Sequence, residues 1–347
     1  MVTPLLDASK FRNGSPSERQ EYAQQLLEQL QGSGFVRITN HGIPNDKVEE
    51  CFEWVRLLRP STTSYNDQLT PPQSKKFFAL SLPERLKALN PPGPTPQRGW
   101  STLGAEKTST LYGKLMGHDL PEDLRDARQH FDMGTPGDTM FPTRWPSETA
   151  IPGFKPYLET FFFLCEAVSL EILEALELAL GVPEATFRKH CTPNASEFRL
   201  NHYPALSVQE LADEKVERIW PHFDLGVITL LFTDSVGGLQ FEDRSRPGEF
   251  KTVDATAKSD LVVNISETLG RWTAEKIPAG LHRVTSPENA EESKVIPERY
   301  SIAYFCKAAR QAKVAPLQPF RSAEEEKEVG ESLTALEYQQ KRLLTAY

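Results

Sequence analysis

From Glu197 to Phe305 the chain is divided into short β-forming runs that end in Gly, Pro or Asp turns. The runs are Phe198–His202, Gly226–Thr233, Gly238–Phe241, Leu261–Ile265, His282–Val284 and Tyr300–Phe305. Strands this short cannot each bury an apolar face alone. They must pack as two layers, which predicts a mainly β sandwich or jelly roll rather than a helix bundle. Flanking helices are expected on both sides. The longest covers Phe154 to Leu180, with Tyr157, Phe161, Leu164, Val168, Ile172, Leu176 and Leu180 spaced three or four apart, and Gly181-Val182-Pro183 stops it.

The first part of the chain reads as strand, helix, strand, turn and helix: Pro4–Asp7, Ser17–Leu30, Gly34–Ile38, Asn40–Pro44 and about Asp46–Arg56. Residues 57–74 are polar and rich in Pro, and read as an inserted exposed loop. Lys75–Leu80 and Pro83–Leu89 are short helical pieces. Residues 90–150 show many Pro and Gly and little periodicity, the signature of a long irregular segment that covers a site. Ala323 to Tyr347 reads as a charged helix. The expected organisation is an N-terminal helical and strand region with pocket-covering loops over 1–150. The long helix, a jelly-roll core at about 197–308 and a C-terminal helix follow over 151–347.

With 39 Lys and Arg against 48 Asp and Glu, the net charge is −9. No basic excess exists to neutralise phosphates, so nucleic acid is not an expected partner. The 4 cysteines form no CxxC pair, which argues against zinc fingers and a disulfide framework. The apolar stretch around Phe161–Leu180 is broken by Glu166, Glu171, Glu174 and Glu177, so no membrane span is expected. The first residues lack a basic-then-apolar leader pattern, and a cytoplasmic location is expected. The expected assembly is a monomer or weak homo-oligomer acting on a small molecule.

Polar residues at the ends of the β runs carry the chemistry. His222 and Asp224 lie two apart in an extended segment, so both side chains can reach one point while Phe223 turns away. With His282 they form two imidazoles and a carboxylate, the ligand set of non-haem iron sites that leave three metal positions open. Arg299-x-Ser301 follows, and a planar guanidinium with a hydroxyl suits a dicarboxylate.

Taken together, Arg199-Leu-Asn201-His-Tyr203-Pro204, His222-Phe-Asp224-Leu-Gly226, Gly237-Gly-Leu-Gln240, His282-Arg-Val284 and Arg299-Tyr-Ser301 resemble the isopenicillin N synthase-like superfamily of Fe(II)/2-oxoglutarate-dependent dioxygenases. Gly34-Phe35 through Asn40-His41-Gly42-Ile43, and Lys75-Lys76-Phe77-Phe78, are similar to its N-terminal region. The overall look is similar to fungal members. The resemblance implies a double-stranded β-helix with iron on His222, Asp224 and His282. It implies 2-oxoglutarate on Arg299 and Ser301, with Asn201 and Tyr203 at its iron-proximal end, and O2 as second co-substrate. It also implies substrate contacts from Arg199, His130, Phe131, Leu225, Phe305 and Arg98, the last in an Arg-Gly-aromatic turn near the mouth.

Several positions depart from the family pattern. Ser266-Glu267 stands where Gly-Asp is usual, Gly280-Leu281 where Ser-Thr is usual, and Phe223 and Leu225 flank Asp224. These bear on the substrate and leave the ligands intact. The expected reaction is oxidation, by hydroxylation, of a small and largely apolar or aromatic molecule of secondary metabolism, with release of succinate and CO2. An oxidase of the isopenicillin N synthase type needing no 2-oxoglutarate, and a non-catalytic binding relative, are the alternatives. Succinate formation and iron content separate the three.

Overall fold

The computed structural model describes residues 4–55, 76–110, 113, 117, 124–212, 215–253, 259–287, 294–322 and 332–346. The expected 57–74 loop, and the 323–331 part of the expected C-terminal helix, lie outside the described residues. The strands that build the two main sheets are β1 (Leu5–Asp7), β2 (Phe35–Thr39), β3 (Gly99–Ser101), β4 (Gln129–Gly134), β5 (Glu197–Tyr203), β6 (Ile219–His222), β7 (Ile228–Thr233), β8 (Leu239–Glu242), β9 (Phe250–Thr252), β10 (Leu261–Ile265), β11 (His282–Val284) and β12 (Arg299–Cys306). The larger, 8-stranded sheet has the order β1-β2-β10-β7-β12-β5-β4-β3, and the 4-stranded sheet has the order β9-β8-β11-β6. Facing each other, they make the jelly roll.

Helices flank it: α1 (Pro16–Ser33), α2 (Asn45–Val55), α3 (Phe154–Leu180), α4 (Glu267–Trp272) and α5 (Ala335–Ala346). A capping box opens α1: the Ser15 hydroxyl accepts from the Glu18 amide, and the Glu18 carboxylate accepts from the Ser15 amide. Helix α3 keeps the bounds expected from periodicity. Its buried side includes Phe161, Phe162, Val168, Ile172 and Leu176.

Antiparallel register gives the larger sheet two unlike faces, because neighbours across a ladder point the same way. Outward go Phe198, Leu200, Leu230, Phe232, Ile302 and Tyr304, all buried with α3 in the main core. Phe161 of α3 meets Phe198 at 5.7 Å and Phe232 at 6.0 Å between ring centroids, and Phe162 meets Tyr304 at 5.1 Å. Inward go polar rows. Ser101, His130, Asn201, Ser301 and Thr233 form one row. A second holds Asp132, Arg199, Ala303 and Leu231, and a third Glu197, Phe305, Thr229 and Asn264. A separate apolar cluster between the sheets contains Phe35, Tyr203, Ile219, Leu239, Phe241 and Val284.

The segment 90–150 differs from the irregular region expected. Strand β4 is buried at every position and lies between β5 and β3. Its inward residues include His130 and Asp132, and Asp132 accepts from both His130 and Arg199, so a polar alternation here marks a buried strand rather than a loop. The larger sheet therefore crosses the boundary expected near residue 150. Among the described residues no helix is long and apolar enough to cross a membrane. All 4 cysteines are free and buried.

Phe161 sits at the junction of α3 with β5 and β7 and is 1% exposed. Phe161→Ala opens a cavity there and is expected to cost about 3–5 kcal/mol. Chemical denaturation of the purified protein measures it, and a loss under about 1 kcal/mol would mean that this contact is not central to the core.

Candidate active site

His222 ends β6, and His282 opens β11 directly opposite. Their ring centroids are 4.3 Å apart. Asp224 follows β6 closely, in a loop that passes near β12. A Cβ at Gly226 would stand 2.5 Å from the Cys306 carbonyl, so the loop needs glycine there. His222 Nδ1 donates to the Trp220 carbonyl at 2.9 Å, and His282 Nδ1 donates to the Gly280 carbonyl at 3.0 Å. Both backbone acceptors fix the same tautomer and leave each Nε2 lone pair free for a metal. Asp224 Oδ2 accepts from Thr229 Oγ1 at 2.6 Å and Asn264 Nδ2 at 2.9 Å, which leaves Oδ1 at 3.7 Å from His222 Nε2. Thr229 and Asn264 are paired neighbours on β7 and β10.

Ligand atoms of His222, Asp224 and His282 all lie within 4.8 Å of one another, close enough to share one ion. Burial, and the second imidazole beside it, push His222 far below the ordinary histidine range. Burial opposes ionisation of Asp224, but the two imidazoles and its two hydrogen bonds hold it below the usual carboxylate value. Both shifts favour the deprotonated forms that bind metal.

Arg299 opens β12 opposite Tyr203, two positions from Ser301, which stands opposite Asn201. Asn201 Nδ2 donates to Ser301 Oγ at 3.3 Å. The Arg299 side chain is 1% exposed, yet none of its three guanidinium nitrogens has a hydrogen-bond partner among the described residues. Its cation rests 4.8 Å from the centre of the Tyr203 ring. A buried guanidinium without acceptors is costly unless an anion completes it, so a carboxylate fits this position. The Asn201 carbonyl oxygen is also unpartnered among the described residues.

A cavity of about 90 Å³ opens beside His222 and Asp224. Phe223, Leu225, Phe305 and, from α5, Leu343 form its apolar wall. The same cavity is lined by charged groups that the sequence did not reveal, Glu106, Arg128, Glu197 and Lys307, together with Arg199, whose guanidinium lies 5.5 Å from the centre of the Phe305 ring. Arg199 donates to Asp132 at 2.7 Å, to Glu106 at 3.1 Å and to Gln97. Burial alone would raise Glu106, but Arg199, Arg128 and His130 hold its carboxyl well below the usual range. Burial likewise works against ionised Glu197, yet Lys307 and Arg98 hold it at about 2. Each sign is thus matched inside the protein. Helix α5 reaches the same cavity through Gln339, which donates to Glu197 at 3.1 Å. Glu267, in place of the usual Asp, accepts from Tyr338 at 2.8 Å and Arg342 at 3.1 Å and so anchors α5 beside the Asp224 loop.

Other expected substrate residues lie elsewhere. Phe131 points to the outer face of β4, packed on Phe77 at 4.7 Å and Phe154 at 5.4 Å, because strand alternation turns it away from its neighbours His130 and Asp132. His130 faces inward but stands behind the cavity wall, donating from Nδ1 to Asp132 at 2.5 Å with Nε2 3.3 Å from Glu106. Arg98 is buried behind Glu197 and donates to it at 2.8 Å, so it holds a wall residue and does not line this cavity. Leu225, Phe305 and Arg199 do line it.

Residues 195–308 match the model of the 2OG-Fe(II) oxygenase superfamily, and residues 3–58 match that of the non-haem dioxygenase in morphine synthesis N-terminal region. The chain is 44% identical to the 2-oxoglutarate-dependent dioxygenase phqC of Penicillium fellutanum, over 99% of this chain and 94% of that one. It is 38% identical to proline hydroxylase buaE of Petromyces alliaceus over the whole of both chains. Among solved structures, a full-length Neurospora crassa protein in complex with alpha-KG and thymine superposes with a TM-score of 0.81 at 29% identity, covering 100% of this chain and 98% of that one. With these matches running the length of the fold, the chain belongs to the 2OG-Fe(II) oxygenase superfamily and is a non-haem iron dioxygenase that uses 2-oxoglutarate.

Proposed function

We propose that this dioxygenase hydroxylates a small free amino acid with an apolar side chain, as a step in secondary metabolism. The observation that carries the reading is the mixed lining of the cavity beside His222 and Asp224: apolar Phe223, Leu225, Phe305 and Leu343 together with Arg128, Arg199, Glu106, Glu197 and Lys307. These charged groups pair among themselves, and a wholly apolar substrate would make no polar contact with them. A zwitterion offers a carboxylate to the guanidiniums and an ammonium to the carboxylates, while its side chain packs on the apolar residues. The full-length likeness to a proline hydroxylase supports the same class.

In this reading His222, Asp224 and His282 hold Fe(II) through Nε2, a carboxylate oxygen and Nε2. Arg299 and Ser301 hold the distal carboxylate of 2-oxoglutarate, and Asn201 and Tyr203 flank it. Iron, 2-oxoglutarate and O2 together supply the oxidant: one oxygen atom enters the substrate, the other enters succinate, and CO2 leaves. The chain's own contribution is positional. Backbone carbonyls of Trp220 and Gly280 keep both imidazoles in register, and Thr229 and Asn264 keep Asp224 from rotating. Phe223, Leu225, Phe305 and Leu343 exclude water from the C–H to be oxidised and hold it in place. The likeness to the Neurospora crassa structure solved with thymine favours a second reading, in which a flat polar heterocycle takes the charged wall.

Turnover on a substrate panel decides between them. Free proline, leucine, isoleucine and pipecolate are each incubated with Fe(II), 2-oxoglutarate and O2, beside their N-acetyl amides, thymine and an uncharged indole. Succinate and a product heavier by one oxygen are read by mass spectrometry. Coupled product is expected from at least one free amino acid and from none of the capped amides. Product from thymine alone selects the heterocycle, and product from the indole alone removes the zwitterion. Product without succinate removes the 2-oxoglutarate requirement.

Metal binding is read directly. Under anaerobic conditions the wild-type chain is expected to bind one Fe(II), while His222→Ala loses it and keeps its fold, since His222 sits on the smaller sheet and the main core packs on the outer face of the larger one. Stoichiometric iron in folded His222→Ala would remove that residue from the ligand set. At the co-substrate position, Arg299→Lys keeps a charge but not the planar fork. The Kd for 2-oxoglutarate is expected to rise by about a hundredfold, from the loss of a charge-assisted bidentate contact. Calorimetry showing an unchanged Kd would place the co-substrate elsewhere.

A further inference from the structure

Arg218 lies just before β6 and is buried completely, 0% exposed. Its Nη2 donates to the Pro297 carbonyl. Its Nε and Nη1 have no hydrogen-bond partner among the described residues. The guanidinium stands 5.9 Å from the centre of the Tyr203 ring, the same ring that Arg299 approaches to 4.8 Å. Two buried guanidiniums thus lie near one ring, and Nε and Nη1 of Arg218 and all three nitrogens of Arg299 lack acceptors among the described residues. Burial first, then the charge of Arg299, lowers Arg218 to about 10. Glu217 and Asp234 are close enough to offset part of this charge, and the Glu217 carboxylate accepts from the Arg218 backbone amide, but among the described residues neither accepts a hydrogen bond from the guanidinium.

Two like charges held together in a dry interior, with donors open, are unfavourable alone. An anion between them turns the same arrangement into a strong site, because each carboxylate oxygen can take a charge-assisted bond. We propose that Arg218 is a second cationic contact for the distal carboxylate of 2-oxoglutarate, acting with Arg299 beside Tyr203. This rests on the assignment of Arg299 to that carboxylate. It goes beyond the Arg-x-Ser pair, since it makes selection for a dicarboxylate a property of β6 as well as of β12. It also links the co-substrate to the metal, because Arg218 and His222 flank the same short strand.

The test compares two ligands that differ only at the far end. 2-Oxoglutarate carries the distal carboxylate, and 2-oxopentanoate ends in a methyl group. Each is titrated by calorimetry into anaerobic Fe(II)-loaded wild type, Arg218→Met and Arg218→Lys. For Arg218→Met the Kd for 2-oxoglutarate is expected to rise about tenfold or more, and that for 2-oxopentanoate to stay within about twofold of wild type. Arg218→Lys is expected to show a smaller loss for 2-oxoglutarate alone, and it carries the test if Arg218→Met does not fold. An unchanged Kd for 2-oxoglutarate in the folded variant overturns the proposal. So does an equal loss for both ligands, which assigns Arg218 to holding Pro297 and nothing more. Failure of wild type to prefer 2-oxoglutarate over 2-oxopentanoate overturns the Arg299 assignment instead.

Discussion

The ladder of β5, β12 and β7 carries both the core and the chemistry. Its register pairs Ser301 with Asn201 and Thr233, and Phe305 with Glu197 and Thr229. A slip of one residue would exchange the faces. Ile302 and Tyr304 would then face the cavity, and Arg299 and Ser301 would face α3. The apolar packing of α3 on the outer face makes that slip expensive. The helix that never touches the site therefore fixes which side chains do.

Buried charge is the second organising element. Asp132, Glu106, Glu197, Arg199, Arg128 and Lys307 are paired among themselves, so most of the inner wall is neutral before any ligand arrives. Arg299 and Arg218 differ from these, since among the described residues no carboxylate hydrogen-bonds either guanidinium. Self-neutralised groups give a wall shape and a pattern of potential. Unneutralised groups instead create a demand for an anion, and ligand binding meets it. The contrast separates the substrate side of the interior from the co-substrate side.

Helix α5 ties the C-terminal region to the loop that carries Asp224. Glu267 sits beside that loop, since its amide donates to the Asp224 carbonyl at 2.8 Å. Its carboxylate holds Tyr338 and Arg342 of α5, whose Gln339 reaches Glu197. Burial raises the Glu267 carboxyl, with Arg342 opposing. The replacement of the family's shorter Asp by Glu here extends the carboxylate toward α5. A departure that the sequence presented as a substitution near the metal is, in space, an anchor for the wall of the cavity.

Much of this protein was legible in its sequence, and the reasons are local. Helix α3 declared itself through 3.6-residue periodicity and a Gly-Val-Pro stop. The co-substrate candidates were legible because strand alternation puts Arg299 and Ser301 on one side, and the metal candidates because His222 and Asp224 stand two apart, although Asp224 lies in the loop after β6 and Phe223 lines the same cavity rather than turning away. Strand β4 was missed because its inward residues His130 and Asp132 are polar, and polar alternation reads as surface until the partners are known. Phe131 was expected at the substrate for its neighbourhood in sequence, yet the same alternation turns it into the core. Arg218, Glu106, Glu197 and Lys307 carried no signal at all, since a charged residue in a sequence is ordinarily solvated. Composition and periodicity determine which segments are strands and which groups can bind metal. Only tertiary structure decides which charges lose their water and which of those find a partner, because desolvation and pairing depend on residues that meet from distant parts of the chain.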